Sequence, residues 1–297
     1  LIDTAEAYGF GASERIVVDG TTITLGANSS GTTATNGMSY TVTIASGTAT
    51  VVLSKVAGVS TGNINTLVNG ITYQNTSIDN PTDGNRVFTL TQIVDSGGTA
   101  SGGVNTTALS IASTVNVNPV NDAPVLASGS TLAYTENATS AINTLITVAD
   151  ADNTTLSTAT VSITGGFVSG QDVLAFTNVP ATMGNITGSY VAGTGVMTLS
   201  SAGNTATLAQ WQAALRAVTY NNSSDDPNTG ARTVSYTVND SAANSNTVTS
   251  TVNLTSVNDA PTLTATAASP TFTEGAGSTQ AAAVSVFSGA TTGTVES

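Results

Sequence analysis

The tetrapeptide Asn-Asp-Ala-Pro occurs twice, at Asn121-Asp122-Ala123-Pro124 and at Asn258-Asp259-Ala260-Pro261, and the 137-residue interval sets the scale on which this chain can fold. The residues leading up to each copy match as well. Leu215 to Tyr220 repeats the pattern of Val68 to Tyr73, Gly230-Ala231-Arg232 repeats Gly84-Asn85-Arg86, and each stretch continues through an Asp-Ser pair, Asp95-Ser96 or Asp240-Ser241. This period is longer than that of solenoid repeats, so each unit is expected to be a small domain with its own core. The 297 residues then divide into a first repeat at 1–120, a second at 121–257, and the opening strands of a third at 258–297.

Short runs rich in Val, Ile and Thr, punctuated by Gly-containing turns, predict antiparallel strands and an all-β fold of tandem sandwiches. Ile16-Val17-Val18, the turn dipeptide Asp19-Gly20, and Thr21 to Leu25 read as a hairpin of the type I′ class. Tyr40 to Ile44, Ser46-Gly47 and Ala49 to Leu53 read as a second. In the second unit, Val161-Ser162-Ile163, Val173 to Phe176, Ser189-Tyr190-Val191, Val196 to Leu199, Thr233 to Val238 and Thr247 to Leu254 carry the same signal. One segment per unit breaks it. Leu208, Trp211 and Leu215 recur at helical spacing after Thr207, with Gln210 completing a capping box, and Ile64, Leu67 and Val68 hold the corresponding place in the first unit. Each sandwich should therefore carry one short helix, with Trp211 plugging the core.

Composition narrows the chemistry. The chain has 18 acidic and 5 basic residues for a formal charge of −13, so it offers no basic footprint for nucleic acid or for anionic lipid heads. Zero Cys and zero His remove disulfides, thiolate chemistry and the commonest transition-metal ligands. Carboxylates remain, and hard-oxygen calcium sites need nothing else. No run of about 20 apolar residues is present to span a bilayer.

From Tyr134 to Pro261 the second unit resembles a cadherin-type repeat. The resemblance rests on Thr135-Glu136-Asn137, on Asp150-Ala151-Asp152 as the Asp-x-Asp motif, on Asp225-Asp226, on Val238-Asn239-Asp240-Ser241, and on the closing Asn258-Asp259-Ala260-Pro261. Junctions of the Val-Asn-Asp-Ala-Pro type between Thr/Asn-rich domains are also typical of large repetitive bacterial surface proteins and adhesins. The resemblance implies calcium at the interdomain junctions, with ligands Asp79, Asn121, Asp122, Asp150, Asp152 and Asp240 at the first, and Glu136, Asp225, Asp226, Asn258 and Asp259 at the second. It departs from the cadherin pattern where Pro119 and Ser256 stand in place of a linker Asp, and where the third unit reads Phe287-Ser288-Gly289 instead of Asp-x-Asp. The alternative for all eleven residues is that they cap turns through side-chain to backbone hydrogen bonds.

Leu1 to Glu14 resembles the second-strand signature of aldo-keto reductases, in which Asp3 and Tyr8 would be catalytic. That family also needs a Lys and usually a His. This chain has no His, its single Lys55 falls in a hairpin, and it lacks an alternating β/α pattern, so no catalytic residues are expected. The expected function is that of a structural segment of an extracellular bacterial surface protein or matrix fibre, partnered by neighbouring repeats or identical subunits. The competing class is a secreted carbohydrate-binding module with surface glycans as ligands. Finally, Tyr220 lies 99 residues after Asn121 but Tyr73 only 72 after Leu1, so the first unit is expected to want opening strands of the kind that follow Asn258, and head-to-tail association would supply them.

Overall fold

Every second residue of Glu14–Val18 is buried, and the same period runs through Thr48–Ser54, Thr158–Gly165 and Arg232–Asn239. Alternation of this kind buries one face of a strand and leaves the other wet, which forces two sheets to share a core. The structure, a computed structural model, describes residues 2–8 and 12–293 and forms two units, residues 1–121 and 122–297. It is mostly strand with few helices, as the sequence predicts.

The first unit contains β1 (Ile2–Tyr8), β2 (Glu14–Val18), β3 (Thr21–Thr24), β4 (Ser29–Thr32), β5 (Ser39–Ala45), β6 (Thr48–Ser54), helix α1 (Thr61–Asn69), β7 (Thr72–Asn75), β8 (Gly84–Val94) and β9 (Thr106–Val117). Its large sheet has the order β4-β5-β6-β1-β8-β9 and its small sheet the order β3-β2-β7. Both predicted hairpins form. Val18 pairs with Thr21 across Asp19 (φ 51°) and Gly20 (φ 74°), and Ala45 pairs with Thr48 across Ser46 (φ 50°) and Gly47 (φ 77°). Positive φ at both central residues matches the right-handed twist of the flanking strands. Ile16, Val18, Ile23, Val42, Val51, Leu53 and the helix residue Leu67 build the core. The aldo-keto-reductase-like stretch falls partly on residues 1 and 9–11, which lie outside the described residues, while Ile2–Tyr8 is a sheet strand between β6 and β8.

Asp19 does more than turn the chain. Its buried carboxylate accepts from the Thr33 hydroxyl, from the Asn36 backbone N–H at 3.0 Å and from Asn36 Nδ2 at 2.6 Å. Burial pushes its pKa up, but these hydrogen bonds and the Lys55 charge outweigh burial, and the net shift is downward. A carboxylate depressed in the folded state contributes stability that is complete above its unfolded pKa of about 3.9 and is lost as pH falls through the folded value. The first unit is therefore expected to lose stability below about pH 4, and Asp19→Asn, which cannot titrate, should flatten that slope in thermal melts followed by circular dichroism. An acid slope identical in the variant would place the effect on other groups.

The second unit contains β10 (Val125–Ala127), β11 (Thr131–Thr135), β12 (Ser140–Ala141), β13 (Thr147–Ala149), β14 (Thr158–Gly165), β15 (Asp172–Ala175), α2 (Pro180–Met183), β16 (Ile186–Val191), β17 (Val196–Ser201), α3 (Leu208–Arg216), β18 (Thr219–Asn222), β19 (Arg232–Asn239), β20 (Val248–Thr255), β21 (Thr262–Ala267) and β22 (Phe287–Gly293). The large sheet runs β11-β20-β19-β14-β17-β16 and the small one β12-β18-β15, with β10-β13 and β21-β22 as separate pairs. The β11–β20 pair is parallel, from Thr131 opposite Thr251 to Thr135 opposite Thr255. The other pairs are antiparallel.

Helix α3 starts as expected. The Thr207 hydroxyl accepts from Gln210 N and the Gln210 side chain accepts from Thr207 N, a complete capping box. Its inner face buries Trp211, Ala214 and Leu215, and Trp211 Nε1 donates to Leu156 O at 3.1 Å. One helix per unit was expected, but the second unit has a further turn, α2, where Pro180 occupies the first positions of a helix and so loses no hydrogen bond. No described helix is long and apolar enough to cross a membrane.

Each unit also holds a buried ion pair in the same setting. In the first, Arg86 Nε lies 2.7 and 3.0 Å from the Glu14 carboxylate oxygens, and its other nitrogens donate to Gly84 O and Thr82 O. In the second, Arg232 Nε lies 3.0 Å from Asp172 Oδ2, with Gly230 O and Asn228 O as the further acceptors. The arginine two residues after a glycine, reaching back to carbonyls two and four residues earlier, makes β8 the counterpart of β19 and β2 the counterpart of β15.

Candidate metal sites

Of the residues expected to ligate calcium, those of the second unit fall into two groups, one near its start and one beside the end of β20. At its start, Asp150 follows β13 and opens a tight turn. Asp150 Oδ1 accepts from Asp152 N at 2.9 Å and Asn153 N at 2.7 Å, and Asp152 Oδ2 accepts from Asp122 N at 2.5 Å. The sequence-distant Asp122 and Asp152 are thus brought together, and half of each turn carboxylate is spent on capping. The other halves are not: Asp150 Oδ2 and Asp152 Oδ1 are buried and accept no hydrogen bond. Asp240 caps its own turn, accepting from Ala242 N and Ala243 N at 2.7 Å. Asp79 and Asn121 belong to the first unit and are exposed.

The other group is built around Glu136, directly after β11. Glu136 is 5% exposed, and both of its carboxylate oxygens are buried without a hydrogen-bond partner. Glu136 N donates to Thr255 O at 3.1 Å, so the residue sits where β20 leaves the sandwich toward Asn258 and Asp259. The loop bearing Asp225 and Asp226 is tied to the same place. Asn221 Nδ2 donates to Ala138 O at 2.7 Å, Asn222 N to the Tyr134 hydroxyl at 2.9 Å, Ser224 N to Asn222 Oδ1 at 2.9 Å, and Asp226 N to the Ser224 hydroxyl at 3.2 Å. Asp225 and Asp226 themselves are exposed, and Asn258 Nδ2 donates to Asp259 O at 3.2 Å. Among the described residues no three acidic side chains are gathered closely enough to hold an ion by themselves.

A carboxylate removed from water without a donor loses several kcal/mol of solvation unless a cation or a proton compensates. Calcium accepts carboxylate, amide and backbone oxygens, and those are the atoms offered here, so the residues present fit that ion. Turn capping, the competing explanation, accounts for Asp240 and for one oxygen each of Asp150 and Asp152. It does not account for Glu136.

The buried acids Glu14 and Asp172 escaped the sequence reading. Their arginines stood out because Gly-x-Arg repeats, but the acid is Glu in one unit and Asp in the other, and nothing local marks it as buried. Asp172 accepts from the Tyr220 hydroxyl at 2.5 Å, Asn222 Nδ2 at 2.7 Å and Val168 N at 2.7 Å besides Arg232, so its capacity is filled and it offers nothing to a ligand. Burial, reinforced by that hydrogen bond to Asp172, pushes the Tyr220 hydroxyl well above its ordinary pKa. Trp211 is fully buried and presents no face for a sugar ring. Neither family models nor curated proteins yield a match to this chain.

Proposed function

We propose that this chain is a spacer segment of an extracellular bacterial surface protein or fibre, built from tandem β-sandwich repeats and stiffened by calcium at the ends of the sandwiches. Glu136, Asp225, Asp226, Asn258 and Asp259 would hold the ion where the second unit passes into the next repeat. Asp150 and Asp152, with Asp79, Asn121, Asp122 and Asp240, would serve the preceding crossing. Calcium, when bound, supplies charge compensation and a cross-link between segments that otherwise repel. Pro124 and Pro261 stiffen the same crossings by holding the preceding residue extended. The observation that most supports this reading is Glu136, a buried carboxylate with neither oxygen satisfied beside the exit of β20.

Calcium in the millimolar range of extracellular sites is expected to stabilise the second unit by about 2.7 kcal/mol when it exceeds its dissociation constant a hundredfold, and so to raise the midpoint of unfolding. Glu136→Gln should abolish that shift without lowering stability in chelator, because it removes a buried charge that lacks compensation. Scattering profiles with calcium and with chelator should differ, and less so for the Asp150→Ala/Asp152→Ala pair. A midpoint and a profile indifferent to calcium would refute the reading.

A further inference from the structure

Where β6 of the first unit passes into helix α1, the fold gathers groups whose chemistry the function above does not use. Lys55, the chain's single lysine, donates from Nζ to the backbone carbonyl of Asn36. The Asn36 side-chain amide is held at both ends: its Nδ2 donates to Asp19 Oδ1 at 2.6 Å, and its Oδ1 accepts from Asn63 Nδ2 at 2.9 Å. Asp19 is buried, Asn36 is half-buried and Lys55 is exposed. An amine, a carboxamide, a carboxylate and an amide donor therefore meet at one residue.

Separate elements fix these groups. Asp19 sits in the β2–β3 turn, Asn36 in the loop between β4 and β5, Lys55 just beyond β6, and Asn63 in the first turn of α1, where the cap residue Ser60 accepts from Asn63 N at 3.3 Å. The loop lies directly on the turn. Thr35 N donates to Asp19 O at 3.0 Å, Ala34 N donates to the Thr21 hydroxyl at 2.8 Å, and a Cβ on Gly20 would come within 2.7 Å of Thr35 Oγ1. The Lys55 and Asp19 charges attract each other across the same amide. Covalent geometry keeps a residue's own carbonyl oxygen within about 5 Å of its Cγ, so an amine resting on Asn36 O reaches Asn36 Cγ by a small rotation of the lysine stem. The second unit has no equivalent, because Ala202 stands five residues before its helix cap, Thr207, as Lys55 stands five before Ser60.

We propose that Lys55 and Asn36 join in an isopeptide bond within the first unit, with Asp19 carrying the proton and Asn63 donating to the developing oxyanion. The neutral Nζ adds to Cγ of Asn36, and the carbonyl electrons move onto Oδ1, where the Asn63 amide stabilises them. Asp19 takes a proton from Nζ and returns one to Nδ2. The oxyanion then collapses: the Nζ–Cγ bond stays as an amide, the Cγ–Nδ2 bond breaks, and Nδ2 leaves as ammonia past the exposed lysine. The balance needs no other reactant. The bond fastens the end of β6 to the loop before β5, closing residues 36–55 into a ring in a chain that has no cysteine, and restricts the unfolded chain as a disulfide does. The inference goes beyond the spacer reading and does not depend on calcium.

Mass spectrometry of the intact 297-residue chain tests this. The chain is expected to become lighter by one ammonia, faster in alkaline than in mildly acidic buffer because only the neutral amine attacks, and Lys55→Arg should keep the full mass. Chymotrypsin cleaves after Tyr40, between the joined residues, so in a denatured digest the fragments carrying Asn36 and Lys55 should remain linked. Asn63→Ala should slow the time course roughly a hundredfold, the usual effect of losing one oxyanion donor. Asp19→Asn should slow it as well, with circular dichroism showing that both variants are folded. Asn36 also precedes Gly37, whose backbone N expels the same ammonia when it closes a cyclic imide. That product has the same mass, but it leaves the two fragments separate and forms equally in Lys55→Arg. A chain that keeps its ammonia in alkaline buffer, or loses it without linking the fragments, overturns the proposal.

Discussion

Replacing Asp172 with alanine is expected to destabilise the second unit by about 3–5 kcal/mol, the cost of breaking a buried ion pair from one side. Asp172 and Arg232 are each 1% exposed, and the same carboxylate also takes hydrogen bonds from Tyr220, Asn222 and the Val168 backbone. Its removal leaves the buried Arg232 charge without its counter-ion, and Arg232 Nε and three further donors without their acceptor. Against a domain stability of about 5–15 kcal/mol, this is a third or more of what holds the unit folded. Urea unfolding followed by tryptophan emission reads the effect cleanly, because Trp211 is the chain's one tryptophan and lies in this unit. Replacing both partners, as Asp172→Leu with Arg232→Met, should recover only the part due to the stranded guanidinium, since Tyr220, Asn222 and Val168 N still lack their acceptor. A single-variant shift below about 1 kcal/mol would mean that solvent reaches the pair.

Trp211→Ala should cost a similar amount, about 3–5 kcal/mol, as large aromatic truncations in cores do. The indole is fully buried and bonded to Leu156 O, so the variant both opens a cavity and strands a carbonyl. Trp211→Phe separates the two effects: most of the volume stays, and the lost hydrogen bond alone should cost about 1–3 kcal/mol. Circular dichroism must follow these variants, since they remove the fluorophore. In the unaltered chain, emission should be blue-shifted and resistant to iodide and acrylamide. Water-like emission with ready quenching would instead show an exposed ring and favour the carbohydrate-binding alternative.

Local chemistry wrote much of this fold into the sequence. Asp19-Gly20 and Ser46-Gly47 specify their turns because both central residues must take positive φ, and Thr207 with Gln210 specifies where α3 begins because it satisfies two orphan N–H groups. Pairing was less legible. That β11 lies parallel to β20, more than a hundred residues away, depends on closing a long loop, and no local pattern encodes it. The candidate ligands show the same division. Asp150, Asp152 and Glu136 stand out by resemblance, and the turn at Asp150 is local, but the burial that leaves the Glu136 oxygens unpartnered is tertiary, beside Thr255 at the end of a strand more than a hundred residues away. Asp172 was invisible for the related reason that an acid in a strand looks solvent-facing until its arginine arrives from 60 residues away.

The parallel pairing of β11 with β20 has a mechanical consequence. Because the two strands run in the same direction, β11 begins at the end of the sheet opposite to the one where β20 finishes, with Glu136 beside Thr255. Tension applied through the crossings at Pro124 and Pro261 therefore pulls β11 and β20 along their length in opposite directions. All the bonds of the pair, from Thr131 opposite Thr251 to Thr135 opposite Thr255, are loaded in shear at once, whereas an antiparallel pair entered and left at the same end would peel open one bond at a time. A unit strung this way resists stretching with its whole terminal ladder.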